Sequence, residues 1–376
     1  MAVIQRDICV VCGRSGLAEL LRIPSYPVFQ GCVTTPRADG ETAPMIWRLC
    51  ESCGSAQITP LPPLGAIYQA GHATGLGAAW ARHHAAFAQF LVANAHGGIA
   101  DVGGGSGTLA IAYRQAGGNA PFTILEPNAL RANGLPTDIV VMDGFLEEAA
   151  LAATGAATAV MCHMFEHATD LRAALTAIHA ALPADGRICI AWPELEQWTA
   201  KGVAGALNFE HGIYLTVPRL LALLSEFGWR ETARQRWDEN DTLFLALERG
   251  TALAPAVRSD GAQAVPGYFA RLREQAAAAQ RAVDSHVGEA FLMPASVYSQ
   301  ALLAMGLREQ RLSGILDNAP AKQGRRLYGT GLAVFPAAAL CAARDPLVIL
   351  NAGAHNAEIA ASLKVLRADV RIMGNV

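Results

Sequence analysis

The sequence predicts an α/β protein built around a doubly wound parallel sheet, with a small cysteine-rich module before it and a second, smaller strand–helix unit after it. Three observations carry that prediction. The run Ile99-Ala100-Asp101-Val102-Gly103-Gly104-Gly105-Ser106-Gly107-Thr108 reads as a short apolar strand turning through glycines into an Ala/Leu-rich helix. Further apolar runs of strand length follow, alternating with helical patterns as such a sheet requires. Two Cys-x-x-Cys pairs stand near the amino terminus, Cys9 with Cys12 and Cys50 with Cys53.

Residues 1–66 form the cysteine module, which holds five of the eight cysteines within its first 53 residues. Each pair is followed by a glycine, Gly13 or Gly54, and Ile46-Trp47-Arg48-Leu49 reads as a strand leading into the second pair. Four thiolates at this spacing fit a tetrahedral structural zinc site. The spacer between the pairs is longer than usual, which calls for a ribbon with an extended excursion. Disulfides are the competing reading, disfavoured in a reducing compartment. A closed site of Cys9, Cys12, Cys50 and Cys53 leaves no open position for chemistry, so the zinc is expected to hold the fold together. Cys32, Cys162, Cys189 and Cys341 read as small buried hydrophobes.

Residues 67–250 form the central unit, after the break at Pro60-Leu61-Pro62-Pro63. Trp80, His84, Phe87, Phe90 and Leu91 recur at helical spacing and predict a helix over 78–95, with either His83 or His84 turned to the core. Strands are expected at Phe122-Thr123-Ile124-Leu125 before Glu126, and at Ile139-Val140-Val141-Met142 before Asp143. A further one, Ala157-Thr158-Ala159-Val160-Met161, runs into Cys162-His163-Met164-Phe165-Glu166-His167. Arg187-Ile188-Cys189-Ile190-Ala191-Trp192 is the fifth and Thr242-Leu243-Phe244-Leu245-Ala246-Leu247 the last. Residues 252–267, with Pro255 and Pro266, read as a linker.

Residues 251–376 complete the chain. A long helix over 268–287 precedes a strand at 290–295, a helix over 296–305, a strand ending at Asp317 and another at 348–351 before Gly353-Ala354-His355. This repeats the strand–loop–helix logic as a second Rossmann-like unit without a cofactor glycine loop. It is expected either to hold a substrate or to buttress the central unit, with substrate binding favoured.

Composition sets bounds. A hydrophobic fraction of 52% and a charged fraction of 16% describe a folded chain with a large core. A formal charge of −3 gives no sign of nucleic-acid binding, which needs clustered Lys and Arg. The longest apolar stretches are too short to span a bilayer. Early Arg6-Asp7 without an apolar run predicts no secretory signal, so a cytoplasmic protein acting on a small molecule is expected.

Glycines at 103, 105 and 107 let the backbone turn and a ligand approach it closely. Glu126, about 20 residues on, stands where a carboxylate accepts hydrogen bonds from ribose hydroxyls. A dinucleotide loop would read Gly-x-Gly-x-x-Gly, whereas here the third glycine follows after one residue. The set resembles the class I S-adenosylmethionine-dependent methyltransferases, on Asp101-x-Gly103-x-Gly105-x-Gly107, Glu126, Asp143 and Glu166-His167. The resemblance implies that Asp101, Gly103, Gly105 and Gly107 approach the methionine part of S-adenosylmethionine and that Glu126 holds its ribose. It puts Asp143 on the adenine amine with Phe145 beside the base. His163 is a wall of that pocket or a packed ring.

Over essentially the whole chain the order of parts resembles the sugar C-methyltransferases that branch deoxysugars. The motifs are the two cysteine pairs, the Gly103 loop, Phe165-Glu166-His167, Phe209-Glu210-His211, and Asp317-Asn318-Ala319-Pro320-Ala321-Lys322-Gln323-Gly324 with Leu327-Tyr328-Gly329-Thr330. That family acts on nucleotide-linked 4-keto sugars, removing the proton beside the ketone and methylating the enolate. Such a proton needs a base of near-neutral pKa and a stabiliser for the enolate oxygen. The resemblance implies His211 as base, Glu210 orienting or tuning it, and His167 polarising the carbonyl or binding the sugar.

Two departures stand out. Asn208 replaces the family's usual tyrosine before Glu-His, and an amide is neither acid nor base. His72, in Tyr68-Gln69-Ala70-Gly71-His72, falls where the family carries tyrosines; it faces substrate in place of a phenol, or caps the following helix. An O- or N-methyltransferase acting on a sugar or other small polar metabolite is therefore the second reading, and a catalytically silent ligand-binding scaffold the third. The intact Gly103, Glu126 and Asp143 set argues against the last.

Overall fold

A computed structural model of the chain describes residues 3–69, 78–127, 132–146, 148–251, 257–353 and 356–374. Seven strands form the central sheet: β1 (Ile99–Val102), β2 (Phe122–Leu125), β3 (Val140–Met142), β4 (Thr158–Cys162), β5 (Arg187–Pro193), β6 (Trp229–Trp237) and β7 (Thr242–Arg249). Their order is β6-β7-β5-β4-β1-β2-β3. Neighbours among β1–β5 run parallel, and β7 lies antiparallel between β5 and β6. This is a Rossmann-like, doubly wound sheet. Strands β1 and β2 are buried along their whole length, as expected of parallel strands covered on both faces. The order reverses between β1 and β4, the switch point where open α/β sheets bind ligands at their carboxyl ends.

The helix predicted over 78–95 runs Ala78–Asn94. Its Phe87, Phe90 and Leu91 pack with Phe244 of β7 in one core cluster, and His83 is the histidine turned inward. Strand β6 has no apolar stripe in its sequence. It forms an edge, its arginines outward, zipped onto β7 from Trp229 opposite Arg249 to Trp237 opposite Thr242.

A second sheet joins Leu17–Pro27, Thr42–Cys50 and Ala56–Ile58 to a two-residue strand, Ile213–Tyr214, taken from the central part of the chain. Ile213 pairs with Gln57 and Tyr214 with Ala56, antiparallel. The excursion between the cysteine pairs reaches further: Cys32–Val33 pairs with Arg326–Leu327. Near it the largely buried Glu41 accepts from Arg326 Nη1 at 2.8 Å and from the Gly329 amide at 2.8 Å.

A third sheet, entirely parallel, contains β8 (Ala290–Met293), β9 (Gly314–Leu316), β10 (Val334–Phe335), β11 (Leu347–Leu350) and β12 (Arg371–Gly374) in the order β10-β9-β8-β11-β12. The long helix leading into it spans Gly261–Ser285. The linker expected over 252–267 is thus too long, because residues 261–267 are helical and include Pro266. Pro266 sits in the second turn and forfeits one helix bond, while its neighbours Val265, Tyr268 and Phe269 are fully buried in the main core. Farther along, Ala276, Ala279 and Val283 of the same helix pack on the third sheet. Among the described residues, no helix is long and apolar enough to cross a membrane.

Candidate active site

The glycine turn leaves the carboxyl end of β1 with Gly103, Gly105 and Gly107 at φ 71°, 53° and 88°, all left-handed. A side chain on Gly107 would meet Leu135 Cδ1 at 2.7 Å and Ile124 Cδ1 at 2.8 Å. At Gly105 a Cβ would meet nothing within 4 Å, so the turn is open there. Its amide points to Glu126 Oε2 at 3.2 Å, which places the acid after β2 against the loop. Met164 fills the space a side chain on Gly103 would need, so the turns after β1 and β4 adjoin.

Asp101 lies under this loop, fully buried, and among the described residues neither carboxylate oxygen has a hydrogen-bond partner. Burial, and Glu126 nearby, push its carboxyl up to about 8. A buried acid without partners, an open glycine cradle and a carboxylate at the cradle's rim fit S-adenosylmethionine, which brings a sulfonium, an ammonium and a ribose diol. Asp101, Gly105 and Glu126 would hold that group, which supplies an electrophilic methyl when bound. Asp143 and Phe145 follow β3 and are exposed, Phe145 by 55%.

The turn after β4 carries the histidines. His163 takes a left-handed φ of 49°. Its Nδ1 lies 3.3 Å from Glu166 Oε1, its Nε2 3.1 Å from Thr242 Oγ1, and its ring packs against Trp80, His83 and Trp198. It is a packed ring joining β4 to β7. Burial pushes His83 down to about 2 and His84 to about 4, so both are neutral.

His167 is held from two sides. Its Nδ1 is 3.0 Å from the Tyr68 hydroxyl and its Nε2 is 3.0 Å from His211 Nε2. His211 Nδ1 in turn faces the Ala206 carbonyl at 3.3 Å. Burial, then Glu210, raise the Tyr68 phenol well above its ordinary value, so it stays protonated. Glu210, expected to orient or tune His211, has its Oε2 4.0 Å from His167 Nδ1. Asn208 lies in the turn that leads into this pair. Its oxygen accepts from the Glu210 amide at 2.7 Å and the His211 amide at 3.0 Å, and its amide donates to the Gly205 carbonyl at 3.1 Å. Both ends are spent on the turn, so Asn208 positions the Glu-His pair. His72 lies outside the described residues.

Tyr68 is the member of this group that the sequence did not single out; its only signal was its place ahead of the Trp80 helix. Immediately after His211, Ile213–Tyr214 joins the amino-terminal sheet, so that sheet fixes where the Glu210-His211 turn can lie.

In the amino-terminal module the four cysteines converge, with all four sulfurs within 4.8 Å of one another. Cys9–Cys53 is 3.7 Å and Cys12–Cys50 3.5 Å between sulfurs, far beyond a disulfide bond. A tetrahedron with metal–sulfur bonds of about 2.3 Å has edges of about 3.8 Å. The residues therefore fit zinc.

Compared with known proteins, residues 75–233 match the methyltransferase-domain family. No curated protein matches the sequence. Among solved structures the chain is similar to a mitomycin 7-O-methyltransferase, at 20% identity over 45% of this chain and 54% of that one, with a TM-score of 0.36. It is also similar to the magnesium protoporphyrin IX methyltransferase of Synechocystis PCC 6803 (13% identity, 48% and 90% covered, TM-score 0.35). An S-adenosylmethionine-dependent methyltransferase from Mesorhizobium loti is a third (14%, 44% and 96%, TM-score 0.33). The chain spans about half the length of the first of these, and likeness at this level carries no argument about the acceptor. The matched residues 75–233 contain strands β1 to β5 of the central sheet, so the methyltransferase-domain likeness falls on the glycine turn and the turn after β4.

Proposed function

We propose that this protein transfers a methyl group from S-adenosylmethionine to a small polar acceptor that His211 deprotonates, and that the acceptor is a nucleotide-linked 4-keto deoxysugar methylated at carbon. The observation that carries the reading is the chain of hydrogen bonds from Tyr68 through His167 to His211, next to the glycine loop. A proton beside a ketone is weakly acidic, and its removal calls for an imidazole whose basic nitrogen is oriented in advance. Motifs along the chain support the sugar: Glu210-His211, and the Asp317 to Gly324 segment. In that segment Asp317 is buried and paired with Lys322 at 3.0 Å. The four-cysteine cluster would hold a structural zinc.

Transfer to oxygen or nitrogen is the second reading, favoured by Asn208: with the amide spent on the turn, no acid–base group occupies that position. Mass spectrometry separates the two. Nucleotide 4-keto sugars are incubated in deuterated water with the enzyme and S-adenosylmethionine. Carbon transfer predicts a product one methyl heavier at a carbon–carbon linkage, with deuterium entering unreacted sugar. A methylated product with an ether or amine linkage would establish the second reading, and no product from any sugar would defeat the acceptor class.

A further inference from the structure

A ring nitrogen left without a partner in a core is costly. His83 has two: its side chain is fully buried and, among the described residues, neither Nδ1 nor Nε2 has a hydrogen-bond partner. Around it stand the rings of Trp80, His163 and Phe244, with centroids 5.1, 5.1 and 5.2 Å away. They fill space. The same helix presents His84 beside it, and β4 ends there at Cys162, both half-buried. One donor atom from each of His83, His84 and Cys162 lies within 4.8 Å of the other two. Cys162 forms no disulfide.

We propose that His83, His84 and Cys162 bind a zinc-class dication at a site separate from the four-cysteine cluster. Two imidazoles and one thiolate are a donor set for a borderline-soft ion. Zinc bonds of about 2.0–2.3 Å need donor–donor edges of about 3.3–3.8 Å, so the three donors, now within 4.8 Å of one another, would draw together on the ion. Binding releases the Cys162 thiol proton to solvent as the sulfur–metal bond forms. Three protein donors leave a fourth position for water. The ion would pin the Ala78–Asn94 helix to the end of β4, beside the glycine turn.

The test counts metal on the full-length chain. After saturation with zinc and removal of excess, elemental analysis should find one equivalent fewer in Cys162→Ser and in His84→Gln than in the unmodified protein. The difference does not depend on how many ions the four-cysteine cluster holds. Equal content in all three proteins overturns the proposal. If Cys162→Ser does not fold, His84→Gln makes the same comparison. Cobalt titration reads it a third way: the unmodified chain should show visible d–d bands that His84→Gln lacks, and identical spectra in the two overturn it.

Discussion

His167 Nε2 stands 3.0 Å from His211 Nε2, and the far side of each ring decides which nitrogen carries the proton. The Ala206 carbonyl beside His211 Nδ1 can only accept, so that nitrogen is the N–H. His211 Nε2 is then the lone pair, His167 Nε2 the donor to it, and His167 Nδ1 the acceptor of the Tyr68 O–H. The tautomers follow from the network. The Tyr68 and His167 protons then point towards His211 Nε2, whose lone pair is taken by His167 and becomes available to an acceptor's proton only when that bond opens.

His211→Ala should lower turnover by about 10²–10⁴-fold, the usual worth of a general base, with S-adenosylmethionine affinity unchanged by calorimetry. Tyr68→Phe keeps the packing and removes one donor, and should cost about tenfold in kcat. Unaltered kcat in Tyr68→Phe would take the phenol out of the chain.

Asp101 makes a prediction about pH. Its carboxyl is pushed up from 3.8 to about 8, so between those values the unfolded chain loses a proton that the folded chain keeps. Stability therefore falls as pH climbs through that window, and below it the group contributes nothing. Cofactor-free Asp101→Asn should gain more in Tm over the unmodified protein at pH 8 than at pH 5. Equal gains at both values would mean that Asp101 is charged in the folded protein.

The open space over Gly105 separates a backbone effect from a ligand effect. Gly105→Ala meets no neighbour, so its cost to folding is that of a left-handed alanine, about 1–3 kcal/mol. The new methyl should weaken S-adenosylmethionine binding by more than tenfold. Thermal melts and calorimetry on one preparation read both, and full cofactor affinity would place the ligand elsewhere.

Cys50→Ser should lose one equivalent of zinc and lower Tm, since a structural site contributes folding energy directly. Turnover should fall as well, because Ile213–Tyr214 pairs with the strand that follows Cys53. A variant with full metal content would contradict binding by four thiolates.

Much of this was legible from residues alone. Strands β1, β2, β4 and β5 are buried on both faces, so their apolar runs name them, and the glycine turn and cysteine pairs mark themselves by spacing. What escaped depends on partners distant in sequence. Strand β6 is an edge whose arginines face water, so no pattern separates it from a loop. Pro266 reads as a breaker, yet the burial of Tyr268 and Phe269 carries the helix through it. Asn208 has the composition of a site residue and does the work of a turn. Tyr68 gains meaning only once His167, 99 positions later, is set against it.

The two-residue strand Ile213–Tyr214 bears on how such chains can be recombined. Cutting near residue 66 separates the amino-terminal piece neatly on paper, but it strips the His211 turn of the strand that anchors it. A chimera carrying a foreign amino-terminal piece would inherit an intact cofactor cradle and a misaligned base. Crossover points for exchanging acceptor preference therefore belong where no sheet bridges them, and grafts here should move residues 1–66 together with the 205–214 turn and the Arg326–Leu327 strand as one cassette.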